Sequence, residues 1–170
     1  PFLRRLQVHL EDEGFRRFIE LVGYGAEHVY DFYHGGSKEE REAWEKQPSP
    51  TVSFHYCDTS KTRISFVKEL RPLGTAGAIL NCIKGISGDP FFVVNTEPFF
   101  IFNGDTICDV NYRAMLKYHE ATNSVITVAC DRDFRHVGTF IASRRFIDFI
   151  PPDCKIDMTE VFLLGMRHEP

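Results

Sequence analysis

The sequence predicts an α/β fold built round a largely parallel sheet. Short apolar and aromatic runs alternate with amphipathic helical segments along most of the chain. Small-residue turns follow two of those runs, in "RPLGTAGAIL" (71–80) and "FFIFNGDTICD" (99–109). The length of 170 residues fits one domain, and 43% hydrophobic with 26% charged residues is ordinary globular composition.

Each element has its own signal. Phe2, Leu3, Leu6 and Leu10 share one helical face, and Gly14 stops that helix near Glu13. "FRRFIELVGY" (15–24) reads as a strand with a buried second half. Ala26 to Tyr33 reads as a short helix with Val29, Phe32 and Tyr33 turned inward. The charged insert 37–50, "SKEEREAWEKQPSP", has capping-box spacing at Ser37 and Glu40 and a stop at Pro48, so a solvated helix is expected. "TVSFHYCD" (51–58) and "RISFVKEL" (63–70) are strands. A helix opens at Gly74-Thr75, a strand ends at Asn103, a helix runs from about Asn111 to Glu120, and "SVITVACD" (124–131) is a further strand.

"DPFFVVN" (89–95) and "EPFFIFN" (97–103) are near copies. Their link is too short for a parallel crossover, which takes a dozen residues or more. They form a hairpin, or the first is an extended lead-in; the second copy is taken as the central strand because it delivers Asn103-Gly104-Asp105.

Composition narrows the function. A net charge of −4 offers no basic face for nucleic acid. No apolar run approaches 18 residues, so no membrane span is expected. Cys57, Cys82, Cys108, Cys130 and Cys154 contain no C-x-x-C pair, which predicts reduced, mostly buried thiols and a cytoplasmic location. The histidines form no H-x-x-x-H pair, and His119 reads simply as a helix end.

Two stretches carry candidate chemistry. Asp105 at the carboxyl end of a buried strand stands where open α/β sheets bind ligands, and one carboxylate there can hold Mg²⁺ against substrate phosphates. Gly104 would allow close approach; the plainer alternative is a simple turn. Leu73, Gly74, Thr75, Ala76 and Gly77 open a helix with almost no side chain. Its free amides and open space suit a nucleotide base or ribose, and the alternative is a Thr75 cap with glycines for tight packing. Gly23-x-Gly25 begins a dinucleotide fingerprint, but His28 occupies the third glycine position. Asp109 is as ready to cap the next helix as to bind a ligand.

Taken in order, these segments resemble the sugar-1-phosphate nucleotidyltransferases, closest to those that act as mannose-1-phosphate or heptose-1-phosphate guanylyltransferases. The matching pieces are "PFLRRLQVHLEDEGFRRFIELVGYGAEHVYDF" (1–32), "ELRPLGTAGAIL" (69–80), "PFFIFNGDTICDVN" (98–111) with "MLKYHE" (115–120), and "VGTFIASRRFIDFIP" (137–151). The resemblance implies a Rossmann-like three-layer fold with a mainly parallel central sheet. It implies transfer of a nucleoside monophosphate from a triphosphate, GTP being expected, to a sugar 1-phosphate, releasing pyrophosphate. Leu73 to Gly77 then lie against the base, and Asp105 is the catalytic Mg²⁺ ligand. Asn103, Gly104, Gly138 and Thr139 lie beside the sugar.

The chain departs from the family at several points. Its glycine-rich triphosphate loop belongs before Pro1, and its second metal-binding aspartate beyond Pro170. Its sugar-reading Glu-Lys-Pro segment belongs between Asp131 and Val137, where "DRDFRH" (131–136) stands. Phe140 stands where a tyrosine is common. A single domain over 1–170 lacking the triphosphate loop is therefore expected, weakly active or inactive as it stands. The alternative is a non-catalytic regulatory subunit that binds nucleotide sugar. A homo-oligomer or a catalytic partner subunit is compatible with either.

Overall fold

In a computed structural model, the described residues are 2–35, 37–46, 51–57, 62–69, 71–86 and 98–165. Along the chain lie α1 (Phe2–Asp12), β1 (Arg17–Val22), α2 (Ala26–His34), α3 (Lys38–Glu45), β2 (Thr51–Cys57) and β3 (Thr62–Lys68). They are followed by α4 (Gly74–Ile86), β4 (Phe99–Phe102), α5 (Tyr112–Ala121), β5 (Ile126–Cys130), β6 (His136–Ala142), a 3-10 helix (Arg144–Phe149) and α6 (Met158–Gly165). The chain groups into two compact units. One comprises Pro1–Phe15 with Val94–Phe149, the other Arg16–Val93 with Ile150–Pro170. The first apolar copy, "DPFFVVN", lies outside the described residues.

In the second unit the strand order is β1-β3-β2. β1 and β3 are parallel, with Val22 opposite Lys68, and β2 returns antiparallel with Thr51 opposite Lys68. Central β3 is buried on both faces, which explains why "RISFVKEL" shows no polar alternation. Ile64 and Phe66 meet Val22, Ala26 and Tyr30, with Phe18, Val29 and Tyr33 at the edge of the cluster. Val67 meets Cys82 of α4, with Leu21 beside them.

Phe32 was expected inward but is 47% exposed. The buried face of α2 runs through Ala26 and Tyr30, and Phe32 lies edge-on to Tyr33, with ring centroids 5.1 Å apart.

In the first unit the order is β4-β6-β5, antiparallel throughout. Parallel pairing is thus found between β1 and β3, while the described ladders of β2 and β6 run antiparallel. For β5 and β6 the reason is connection length: 131–135 joins them, far too short for a parallel crossover. Phe100 and Phe102 stack at 5.8 Å, and Phe15 and Tyr112 meet both rings edge-on at 5.0–6.1 Å. Such a cluster adds roughly 0.5–1.5 kcal/mol per favourable ring pair beyond area burial. Phe140, Ile141 and Ala142 of β6 are buried, as is Phe146 of the 3-10 helix.

Two local readings change here. The cap of α5 is Asn111, whose Oδ1 accepts the Ala114 amide at 2.9 Å, and not Asp109. Asn111 stands one residue before the helix, where an acceptor reaches the third helical amide; Asp109 is two residues too early. His119 is 3% exposed, with Nδ1 2.8 Å from Thr127 Oγ1 of β5, so it docks the helix on the sheet as well as ending it.

Cys82, Cys108, Cys130 and Cys154 are free thiols, and of these only Cys82 is buried. Burial pushes the Cys82 thiol up to about 12, whereas Cys130 is exposed. The thiolate is the reactive species. At pH 8 a thiol reagent should therefore modify Cys130 in the native state and reach Cys82 only on denaturation. Peptide mapping after labelling checks this. Since the folded form favours the Cys82 thiol, stability should fall as pH rises past about 9, the ordinary value.

Candidate functional site

In the second unit, the backbone beyond β3 stays tied to its neighbour for one more residue: the Glu69 amide donates to Val22 O at 2.8 Å. The half-buried Glu69 carboxylate has its pKa raised by desolvation, partly opposed by the Leu73 amide that it accepts. A Cβ built on Gly23 would stand 3.5 Å from Glu69 Oε2, so the carboxylate lies at the carboxyl ends of the parallel pair.

Leu73 to Gly77 follow at once. Leu73 O accepts the Ile156 amide at 2.8 Å, and Ile156 O accepts the amides of both Ala76 and Gly77 at 3.2 Å. The Thr75 amide donates to Asp157 Oδ1 at 3.2 Å. The amides expected to be free at the start of α4 are therefore bonded to the chain's own 156–157 segment. Gly74 has φ +72°, and a Cβ there would lie 2.5 Å from Ile156 O; one on Gly77 would lie 3.0 Å from Cys154 O. The glycines let two backbones meet. Ala76 and Gly77 are buried, which leaves Thr75 exposed and Leu73 and Gly74 half-exposed.

In the first unit, Asn103, Gly104, Gly138 and Thr139 come together through the β4–β6 pairing. Phe102 is opposite Thr139, and the Asn103 amide donates to Gly138 O at 2.8 Å. Gly138 has φ +77°, and a Cβ there would meet the Asn103 side chain at 3.0 Å. Gly138 and Thr139 are buried, while Gly104 and Asp105 turn outward and are exposed. Asp105 Oδ1 accepts Thr106 Oγ1 at 2.9 Å. The following loop is fixed by Cys108 Sγ, which donates to Val137 O at 2.7 Å, and by Tyr112 OH, which donates to Cys108 O at 3.2 Å. Burial raises the Tyr112 pKa, helped by the charges of Cys108, Glu13 and Asp109.

No group of three or more His, Cys, Asp or Glu side chains suited to a metal ion occurs among the described residues. Asp105 nonetheless fits Mg²⁺: it is an exposed hard-oxygen ligand, and Mg²⁺ is usually held by one or two carboxylates plus substrate phosphates. Phe140 is 2% exposed, so the position where a tyrosine is common is here part of the core. The "DRDFRH" link is folded on itself. Asp131 Oδ1 accepts the Asp133 and Arg135 amides at 2.9 Å, and Arg135 reaches both Asp131 and Asp133.

Residues 37–136 match the family model described as "Nucleotidyl transferase". The chain belongs to that family. Among similar nucleotidyl transferases is the mannose-1-phosphate guanylyltransferase catalytic subunit beta of Danio rerio, 40% identical over 58 residues, 34% of this chain and 14% of that protein. The subunit of the same name from Drosophila pseudoobscura pseudoobscura is 29% identical over 119 residues, 70% of this chain and 25% of that protein. The matches thus span a quarter or less of these two relatives' length. Among solved structures, HddC from Yersinia pseudotuberculosis complexed with GMP-PN superimposes with TM-score 0.62 at 25% identity, covering 92% of this chain and 68% of HddC. The α/β fold is accordingly the Rossmann-like fold of nucleotidyl transferases. No helix among the described residues is long and apolar enough to cross a membrane.

Sequence reasoning missed Glu69 and the Ile156–Asp157 segment. Glu69 was readable as an acid directly after an apolar strand. Asp157-x-x-Glu160 was readable as a helix start, though not its partner in α4.

Two of the positive-φ glycines, Gly138 and Gly14, give a direct test. Gly138→Ala should lower stability by about 1–3 kcal/mol, from backbone strain plus the forced shift of Asn103. Gly14→Ala, at φ +98° with open space around its Cβ, should show the strain alone and cost less. Urea unfolding of the two variants makes the comparison.

Proposed function

We propose that this chain acts in nucleotidyl transfer from GTP to a sugar 1-phosphate, giving a GDP-sugar and pyrophosphate. In that reaction a phosphate oxygen of the sugar phosphate forms a bond to the α-phosphorus, and the bond from that phosphorus to the bridging oxygen breaks. The observation that carries the guanine reading is the half-buried Glu69 carboxylate beside Leu73 to Gly77. A carboxylate only accepts hydrogen bonds, and guanine alone among the common bases offers adjacent N1–H and N2–H₂ donors on one edge. Hydrogen bonds to a charged group contribute about 1.5–3 kcal/mol, enough to discriminate between bases.

In this reading Leu73, Gly74 and Thr75 form the surface on which the base lies, with Ala76 and Gly77 supporting it from beneath. Asn103 and Gly104, set by the bond to Gly138 O, orient the sugar, and Thr139 holds that register from the core. Asp105 holds Mg²⁺, which when bound offsets charge on the phosphates. Catalysis of this kind rests on positioning and charge stabilisation, so the fixed backbone at both places is the chain's contribution. The free thiols support a cytoplasmic location.

A thermal-shift series with GTP, ATP, UTP and CTP, each with Mg²⁺, tests the reading. GTP at 100 times its dissociation constant should add about 2.7 kcal/mol of stability, and the other nucleotides much less. Asp105→Asn should abolish the Mg²⁺-dependent part of that gain. Equal shifts with all bases, or none with any, would overturn the proposal.

Glu69→Gln should erase the preference for GTP while stabilising the unliganded protein at pH 7. The sign follows from its raised pKa. A folded-state value above the ordinary 4.5 means stability is greatest below that value and declines as pH rises through it. The variant should lack that decline, which pH-dependent melting would show.

A further inference from the structure

We infer that Asp157 is a positioning residue for the nucleotide surface at the start of α4; this rests on the guanine-nucleotide reading above. An aspartate at the start of a helix ordinarily turns its side chain back onto its own second or third amide. Asp157 does otherwise. The Glu160 and Val161 amides of α6 go to its backbone carbonyl, at 3.1 and 3.2 Å. Its own amide is taken by Glu160 Oε2 at 2.8 Å. With the Glu160 and Val161 amides held by that carbonyl, the carboxylate turns away from α6, and its Oδ1 accepts the Thr75 amide of α4 at 3.2 Å.

The arrangement is built for this cross-connection. Ile156 O, one residue earlier, takes the Ala76 and Gly77 amides, and Ile156 N–H ties back to Leu73 O. Gly74 leaves room for this approach, since a Cβ there would strike Ile156 O and would stand 2.7 Å from Asp157 Oδ1. Four consecutive bonds therefore fix residues 73–77 against 156–157, and Asp157 supplies the only side-chain bond among them.

The consequence concerns how a nucleotide is oriented. A helix start with free amides attracts an anion. Here those amides are already bonded and a carboxylate stands beside them, so a triphosphate is disfavoured at this end of α4. The small-residue surface is left for the uncharged base, with the Glu69 carboxylate at hand for its donors. Asp157 thus keeps the loop in shape and keeps phosphate off it.

The experiment uses the full 170-residue chain, measuring amide exchange by NMR and GTP–Mg²⁺ affinity by calorimetry for the wild type, Asp157→Ala, Asp157→Asn and Glu160→Ala. Asp157→Ala should speed exchange of the Thr75 amide and weaken GTP binding by about tenfold, the loss of one charge-assisted hydrogen bond. Asp157→Asn keeps an acceptor and should restore most of the affinity. Glu160→Ala weakens the start of α6 and should lower the melting temperature, yet leave Thr75 exchange and GTP affinity close to wild type.

Unchanged Thr75 exchange in Asp157→Ala overturns the proposal, and so does unchanged affinity despite faster exchange. If Glu160→Ala weakens GTP binding as much as Asp157→Ala, the effect is a general one of α6 and the proposal fails. If the wild type binds no GTP, the guanine reading falls and the positioning role with it. The exchange data would separately show whether Asp157 holds the loop.

Discussion

The start of α4 depends on finding acceptors for its first amides, and the chain supplies them from 82 residues downstream. An unsatisfied buried amide costs roughly as much as a lost hydrogen bond. Ile156 O and Asp157 Oδ1 meet that need, but only because no side chain stands at Gly74 or Gly77. The smallness of "GTAG" is thus first a condition for two backbones to meet. A flat surface beside Glu69 is the by-product, and it is this by-product that suits a base. On the proposed reading function is laid over a packing requirement, so the two alternatives read from the sequence, tight packing and a ligand surface, do not compete.

The first unit solves a similar problem with similar means. Beyond the last residue of β4, the Asn103 amide still finds Gly138 O, and Gly138 holds a positive φ where a Cβ would crowd Asn103. The outward turn at Gly104-Asp105 is therefore set by the sheet behind it rather than by the loop itself. Three carboxylates then differ by surroundings alone. Glu69 is half out of water, and that burial raises its pKa; Asp105 is exposed with one hydroxyl partner; Asp157 is spent on an amide. A base acceptor, a metal ligand and a backbone clasp are what those surroundings permit.

How much of this could be read in advance follows the range of the interaction. α1, α4, α5 and β5 lie within a few residues of their expected positions, because periodicity and stop residues are local signals. Phe32 and Asp109 failed for a reason of the same local kind: a one- or two-residue offset rotates a side chain off the core or out of reach of the helix amides. The partners of His119 and Cys82 could not be read locally. The first is held by Thr127 on a strand not yet built when the helix is read, the second by Val67 across the sheet. For the candidate site the division is the same. Asn103-Gly104-Asp105 and Leu73 to Gly77 were visible as small-residue turns after apolar runs, whereas Asp157 gave only the sign of a helix start.

The "DRDFRH" link shows where this chain differs in chemistry from what the resemblance implies. Three of its charged groups are bound to one another: Asp131 takes two amides and one side of Arg135, and Asp133 takes the other. Asp131, Asp133 and Arg135 thus spend on one another the groups with which they would read the hydroxyls of a sugar. What the link does display is Phe134, 91% exposed and held at φ +60°. On the proposed reading, then, polar recognition of the acceptor falls to the turn at Asn103 and Gly104. The constraint on those two residues is the Gly138 contact that extends the β4–β6 ladder by one residue, so on this reading the same pairing would set both the turn and the place of the sugar.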